Sequence, residues 1–286
     1  MSQIAIGVPM FSREQALQEL LESVPEYVST VYIADNGEKD HRELYDQEYP
    51  FDIDVEHLPY DCGIGPCRHN IAERVTEPYL WVGDSDMEFS SPDNLLRLQE
   101  ILEANPDLGG VSGWLNEHNR IRSGARNLVE LNNTIIKTVP DEPDVTPDPY
   151  PHARFDFIPQ AGLFRTTVFR DYTYDPEIYN SEHLDFFYGH HKTTHWEFAS
   201  TPSVVIKHKR NIDPEYRESQ RGKNHVDFDV MEEKWGFNSA HPGPRSDWSN
   251  TRERSPGEQA FDLFRSVTPA SVWVPVRNLA RKGGLG

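Results

Sequence analysis

Residues 79–89 read Tyr79-Leu80-Trp81-Val82-Gly83-Asp84-Ser85-Asp86-Met87-Glu88-Phe89, an apolar run that stops at two aspartates one residue apart. In an extended backbone, side chains two apart lie on one face, so Asp84 and Asp86 can point into the same site at the end of a buried strand. Such a pair suits a hard divalent cation. Mg2+ or Mn2+ takes oxygen ligands and is held by one or two carboxylates, which leaves coordination positions for phosphate oxygens. The competing reading is a solvated acidic loop in an acidic chain.

Upstream and downstream of this run, short apolar segments alternate with helical ones. Residues 4 to 8, 31 to 34, 53 to 58 and 79 to 83 read as strands, and residues 13 to 23, 67 to 75 and 93 to 104 as helices. The last helix is introduced by Ser91-Pro92-Asp93, with Pro close to its start. Alternation of this kind predicts an α/β fold with a mainly parallel sheet flanked by helices, whose ligands gather beyond the carboxyl ends of the strands. Pro9, Asp35, Arg68 and Asp84 all fall after such strands or in the loops that follow. The proline-rich residues 139 to 153 suit neither helix nor central strand and read as a surface excursion. No internal repeat is present.

A chain of 286 residues can bury a full core as one large domain or two small ones. Its net charge of −19 argues against nucleic acid as a partner, which would need a basic surface. Of its 28 basic residues 20 are Arg and 8 Lys, and Asp is abundant. That balance suits a protein kept soluble in concentrated salt and points to a halophilic source. Cys62 and Cys67 read as reduced thiols beside a glycine segment rather than as a disulfide framework. The N-terminus has no basic region followed by an apolar run, and nothing approaches the roughly 18 apolar residues of a membrane span. A cytoplasmic location is the expectation, and the acceptor-like Asn132-Asn133-Thr134 is then an accident of sequence.

Four segments together resemble the family 2 inverting glycosyltransferases of the GT-A fold. Ile4 to Arg13 is similar to the family's first strand and nucleotide loop. Val31-Tyr32-Ile33-Ala34-Asp35-Asn36-Gly37 resembles its second strand, ending in an aspartate that contacts the base. Gly63-Ile64-Gly65-Pro66-Cys67-Arg68-His69-Asn70 resembles the segment where a helix begins beside the diphosphate, and Asp84/Asp86 completes the order. Pro159 to Arg165 and Val204 to His208 fit later strands. The resemblance implies a GT-A type, Rossmann-like sheet in a single domain with a C-terminal extension. Residues 1–90 would form the nucleotide-sugar-binding half, 91–210 the acceptor-binding and catalytic half, and 211–286 a loop-rich lid or tail.

It further implies a nucleotide-sugar donor, UDP-linked by default, and transfer with inversion to a glycan or lipid-phosphate-linked acceptor. Asp86 would hold the cation, with Asp84 on the metal or the ribose and His208 as a further ligand. Arg68 would meet the phosphates and Asp35 the base, unless Asp35 only shapes the bend before Asn36-Gly37. The acceptor hydroxyl needs a base. Asn180-Ser181-Glu182-His183-Leu184-Asp185-Phe186-Phe187 resembles the segment that carries the family's catalytic carboxylate, but His183 stands where an Asp is usual. Glu182, Asp185 and His183 remain candidates, with Asp185 favoured slightly, as in variants where the later acid takes over. Glu182 and Asp185, three apart on a helix, would share a face.

Other classes fit less well. A sugar nucleotidyltransferase should carry a glycine-rich basic loop where Pro9-Met10-Phe11-Ser12 stands, and a phosphatase using Asp-x-Asp should carry it after the first strand. A dehydrogenase should have a third Gly near Arg68. A non-catalytic nucleotide-sugar binder stays open because of His183. In the C-terminal tail, Phe261, Trp273 and other apolar residues mix with Arg265, Arg277, Arg281 and Lys282, which with Glu258 and Asp262 leave this end at about +2. Its apolar residues either pack on the domain or rest on an anionic membrane surface where a lipid-linked acceptor lies.

Overall fold

Period-free apolar runs make strands buried on both faces, which holds for three of the first four strands, while the third, Asp52–His57, alternates and lies exposed at the sheet edge; the four form a parallel set. In the computed structural model, which describes residues 3–39, 41–117, 120–139, 143–209 and 224–242, β1 (Ile4–Met10) lies between β2 (Thr30–Asp35) and β4 (Tyr79–Val82), with β3 (Asp52–His57) beyond β2. The connections include α1 (Glu14–Ser23), the short α2 (Arg42–Tyr45) and α3 (Ile64–Arg74). Leu17, Leu20 and Leu21 bury one stripe of α1, at the spacing expected of a helix resting on a sheet.

The second half extends the same sheet. After β5 (Met87–Phe89) and α4 (Asn94–Ala104) come β6 (Leu108–Glu117) and β7 (Arg120–Arg122), then β8 (Asn127–Leu131), β9 (Thr134–Thr138), β10 (Val145–Thr146) and β11 (His152–Phe155). They are followed by β12 (Gly162–Arg165), α5 (Thr167–Asp171), α6 (Glu182–Thr193), β13 (Glu197–His208), α7 (Asn224–Trp235) and β14 (Ser239–Pro242). The main sheet runs β10-β11-β13-β6-β12-β4-β1-β2-β3. Strand β12 is antiparallel to both β4 and β6, while β13 is parallel to β6. So β1, β2, β3, β4, β6 and β13 all point the same way around one reversed strand, and the sheet is more mixed than the sequence pattern alone predicts. The reversal follows from the chain: β12 is entered directly from β11, itself antiparallel to β13, by a short loop rather than through a crossover helix.

Three other expectations are refined. Pro9 lies inside β1, but the pairing with β4 stops at Gly7↔Val82, so its missing N–H costs no ladder bond on that side. Within residues 139 to 153, Val145–Thr146 and the start of β11 form the sheet's outer edge, where proline-rich chain is tolerated. Part of the segment assigned to the tail is structured: β14 pairs parallel to β9, and α7 packs Met231 into the core. The apolar tail residues Phe261 and Trp273 lie outside the described residues. Beneath α6, Phe164, Phe169, Tyr174, Phe186, Phe187 and Phe198 form an aromatic cluster, including Tyr174 stacked on Phe186 at 4.5 Å. Burying each such ring contributes about 2 kcal/mol or more, which makes the helix start a fixed platform.

Candidate active site

From β1 the chain winds outward through β2 to β3 and then returns to β4 on the other side of β1, which makes the β1/β4 edge a topological switch point, and the crevice beyond it is where ligands of such sheets bind. Asp84 and Asp86 follow β4 directly. Strand direction also delivers two groups from the far half of the chain, because Glu117 ends β6 and His208 ends β13 on this same carboxyl edge. Antiparallel pairing of β13 with β5 sets His208 opposite Met87, next to Asp86.

Ligand atoms of Asp84, Asp86 and His208 all lie within 4.8 Å of one another. His208 Nε2 is 3.3 Å from Asp86 Oδ1, and Asp86 Oδ2 accepts a hydrogen bond from Arg13, the residue just before α1. Asp86 is 2% exposed, which sets aside the solvated acidic loop, and its Oδ1 is buried without a hydrogen-bond partner. Two carboxylates and an imidazole at this spacing, one with an unsatisfied buried oxygen, fit a divalent cation. Glu117 orients the histidine: its Oε1 lies 2.7 Å from His208 Nδ1, while Arg122 donates to both Glu117 oxygens at 2.7 and 2.6 Å. This carboxylate–histidine pairing is a common support of a metal-ligating histidine.

Burial disfavours charging His208, but its contacts with Asp86 and Glu117 outweigh that and push its pKa up to about 9. Burial likewise opposes ionisation of Glu117, yet His208 and Arg122 hold its carboxyl well below the usual range. The imidazolium stabilises the metal-free fold fully below its unfolded pKa, near 6.5, and that contribution is lost as pH rises through about 9. A cation must displace the proton, so Mn2+ affinity should rise nearly tenfold per pH unit from 7 towards 9 and then level off. Calorimetry in buffers of different ionisation enthalpy should show close to one proton released at pH 7.5.

Arg68 joins this cluster to α6. Its Nη2 donates to Asp84 Oδ1 at 2.6 Å and its Nη1 to Glu182 Oε1. At 4% exposure, Arg68 is a buried bridge between acids, not a surface ion pair. Burial opposes its charge, but Glu182 and Asp84 raise its pKa; burial opposes ionisation of Glu182, but Arg68 lowers its pKa, so both stay ionised. Arg68 Nε, Glu182 Oε2 and Gln160 Nε2 are buried without partners, so this network retains polar capacity. The start of α3 contributes less than expected to anion binding, since the Tyr179 carbonyl takes the Ile64 N–H (2.7 Å) and the Gly65 N–H (3.3 Å). That close approach requires glycine: a Cβ on Gly65 would sit 1.9 Å from the Ile178 carbonyl oxygen, and Gly63 adopts φ +102.

Glu182 and Asp185 address different neighbours. Asp185 is fully buried and accepts from Tyr172 Oη at 2.8 Å, Lys234 Nζ at 3.0 Å and Trp235 Nε1 at 2.6 Å, which ties α6 to α7. His183 is more open, with 36% of its side chain exposed; its Nδ1 lies 3.6 Å from Glu182 Oε1 and its ring 5.3 Å from Phe157. Asp35 engages both oxygens in the bend, accepting from Gly37 N–H at 2.9 Å and Tyr45 Oη at 2.7 Å. The sequence reading missed Asp227 on α7, whose carboxylate accepts the N–H groups of Tyr179, Asn180 and Ser181 at 2.7, 3.0 and 2.9 Å and fixes the loop entering α6. Asp227→Ala should cost about 3 kcal/mol in denaturant unfolding, because it orphans three amides. Turnover should fall about tenfold as the helix start loosens, with donor affinity less affected.

The family model for glycosyl transferase family 2 matches residues 5–167, more than half of the chain. The chain belongs to this family. Over 193 residues it is 27% identical to human beta-1,4 N-acetylgalactosaminyltransferase 1, and over 195 residues 28% identical to the mouse protein; each match covers 64% of this chain and 35% of the relative. The matched region thus spans about a third of those longer proteins. Similar solved structures include S. aureus TarS 1-349 in complex with UDP-GlcNAc (TM-score 0.56, 13% identity, 80% of this chain and 64% of that one). The mannosyltransferase PcManGT from Pyrobaculum calidifontis, in complex with GDP-Man and Mn2+, gives 0.56 at 10% identity over 99% and 76%. GalNAc-T7 with UDP, GalNAc and Mn2+ gives 0.57 at 11% identity over 74% and 45%. These likenesses place the fold among GT-A glycosyltransferases.

Proposed function

We propose that this family member transfers a sugar from a nucleotide-sugar donor, a UDP-sugar by preference, to a hydroxyl of a glycan or lipid-phosphate-linked acceptor, with inversion at the anomeric carbon. The carrying observation is the Asp84/Asp86/His208 cluster, linked through Arg68 to Glu182 at the start of α6. Asp86 and His208, with Asp84, would hold Mn2+ or Mg2+. When bound, the cation supplies positive charge for a diphosphate leaving group. Arg68 keeps Asp84 and Glu182 in register and adds fixed positive charge beside them.

The acceptor proton is assigned to His183. Glu182, held ionised by Arg68 and 1% exposed, is a weak and poorly accessible base, whereas its negative charge suits orientation of the neighbouring imidazole. With Nδ1 towards Glu182, the other ring nitrogen takes the hydroxyl proton as the acceptor oxygen bonds to the anomeric carbon and the carbon–oxygen bond to the diphosphate breaks. Asp185 supports the helix rather than the proton transfer. The acid-rich composition supports a halophilic source. Among the described residues no helix is long and apolar enough to cross a membrane, and contact of residues 258–286 with lipid belongs to the proposal.

Nucleoside diphosphate release from a panel of nucleotide sugars, with and without acceptor, tests the reading. One donor should be hydrolysed slowly alone and faster with a suitable glycan. Absence of release from every donor, with the protein folded and Mn2+ present, would remove the enzyme assignment and favour a non-catalytic binder.

A further inference from the structure

A cation beside the α6 start is left unused by the reaction described above. Lys137, on β9, carries its ammonium 4.4 Å from the centroid of the Phe157 ring, and the same ring lies 5.3 Å from His183. Phe157 itself is fixed by paired backbone hydrogen bonds with Arg126, at 2.8 and 2.9 Å, and by packing on Phe187 at 5.2 Å. Lys192, Lys207, Lys209 and Lys234 all meet carboxylates, as expected in so acidic a chain, whereas Lys137 forms no ion pair among the described residues. Burial and, after it, the charge of Arg126 lower its pKa against the opposing charge of Glu182, to about 8 overall. A half-buried lysine is costly unless an anion compensates it.

We propose that Lys137, placed with Arg126 beside Phe157 and His183, forms an acceptor subsite for a sugar bearing an acidic group, either a carboxylate or a phosphate monoester. The assignment rests on the α6 start being the acceptor side, as argued above. Lys137 is not among the groups that meet at the Asp84/Asp86/His208 cluster; it lies against Phe157, whose ring faces His183, while Arg68 joins Glu182 to that cluster. On that reading the subsite takes the acceptor, while the leaving diphosphate belongs to the cluster. Phe157 gives the sugar ring an apolar face, and Lys137 gives its acidic substituent a point charge.

The test labels the lysines of the full chain by reductive 13C-methylation, which keeps their charge, and assigns the Lys137 signal with Lys137→Arg. With UDP and Mn2+ present, methyl glucuronide and methyl glucoside 6-phosphate are titrated against neutral methyl glucoside. The Lys137 signal should shift with one or both acids and its pKa should rise by about half a unit or more, with no such change from the neutral sugar. A response to only one acid identifies carboxylate or phosphate as the source. Silence towards both acids, an equal response to the neutral sugar, or a shift produced by UDP alone would overturn the proposal. Binding of UDP, read by calorimetry in the same samples, separates the two failures: UDP binding with a silent Lys137 removes the subsite alone, and loss of UDP binding removes the donor site and the subsite with it.

Discussion

Replacing Asp86 by asparagine lowers donor turnover about a thousandfold and weakens Mn2+ binding at least about a hundredfold. The loss corresponds to about 4 kcal/mol of transition-state stabilisation, the size expected when charge opposite a departing diphosphate is removed. Asparagine is the informative replacement because Asp86 is buried between Arg13 and His208. Alanine would leave those two cationic groups facing a cavity and would mix a stability loss into the readout. Asp84→Asn should behave similarly but less severely, since Asp84 is more than a third exposed and keeps Arg68 as a neighbour. Unchanged turnover and Mn2+ affinity in Asp86→Asn would dispose of the metal site.

His183→Ala lowers turnover about a hundredfold while leaving donor affinity nearly intact, as expected when a general base is lost. Glu182→Gln should fall comparably, because it removes both the partner of His183 Nδ1 and one of the two acids that balance buried Arg68. In contrast, Asp185→Asn should act mainly on stability: the Lys234 and Trp235 contacts weaken, the melting temperature falls, and the surviving folded protein turns over within about threefold of wild type. Full activity in His183→Ala, together with collapse of turnover in a well-folded Asp185→Asn, would return the base to the later acid.

These two sets of variants mark where the sequence was and was not legible. Asp84 and Asp86 could be read because a period of two at a strand end is a local property. His208 could be read as a strand-end residue, although the β5 pairing that carries it to Asp86 spans about 120 positions and leaves no local trace. Glu117 carries the same strand-end signal, following Trp114-Leu115-Asn116, and the carboxyl-edge rule applied to β6 would have found it. Asp227 had no such signal. It sits in a helix without a pronounced apolar stripe, and its function depends on a loop 46 to 48 residues away.

The division between Glu182 and Asp185 was legible only in part. Spacing of three puts both acids near one face of a helix, but at the first turn of α6 a rotation of about 60° is enough to send one towards α3 and the other towards α7. Tertiary neighbours decide between them, and α7 was hidden inside a segment read as tail. The reversed strand β12 was equally invisible, since apolar pattern fixes burial but not direction.

The central claim is that the carboxyl edge of β1 and β4 binds a nucleoside diphosphate through a cation held by Asp86. Calorimetric titration of UDP into the wild-type chain and Asp86→Asn, each with Mn2+ and with chelator, tests it directly. Binding to wild type should need Mn2+, be lost with chelator, and be at least about a hundredfold weaker in Asp86→Asn. UDP binding of equal strength in all four conditions, or none by UDP or GDP to the folded wild type with Mn2+, would contradict it.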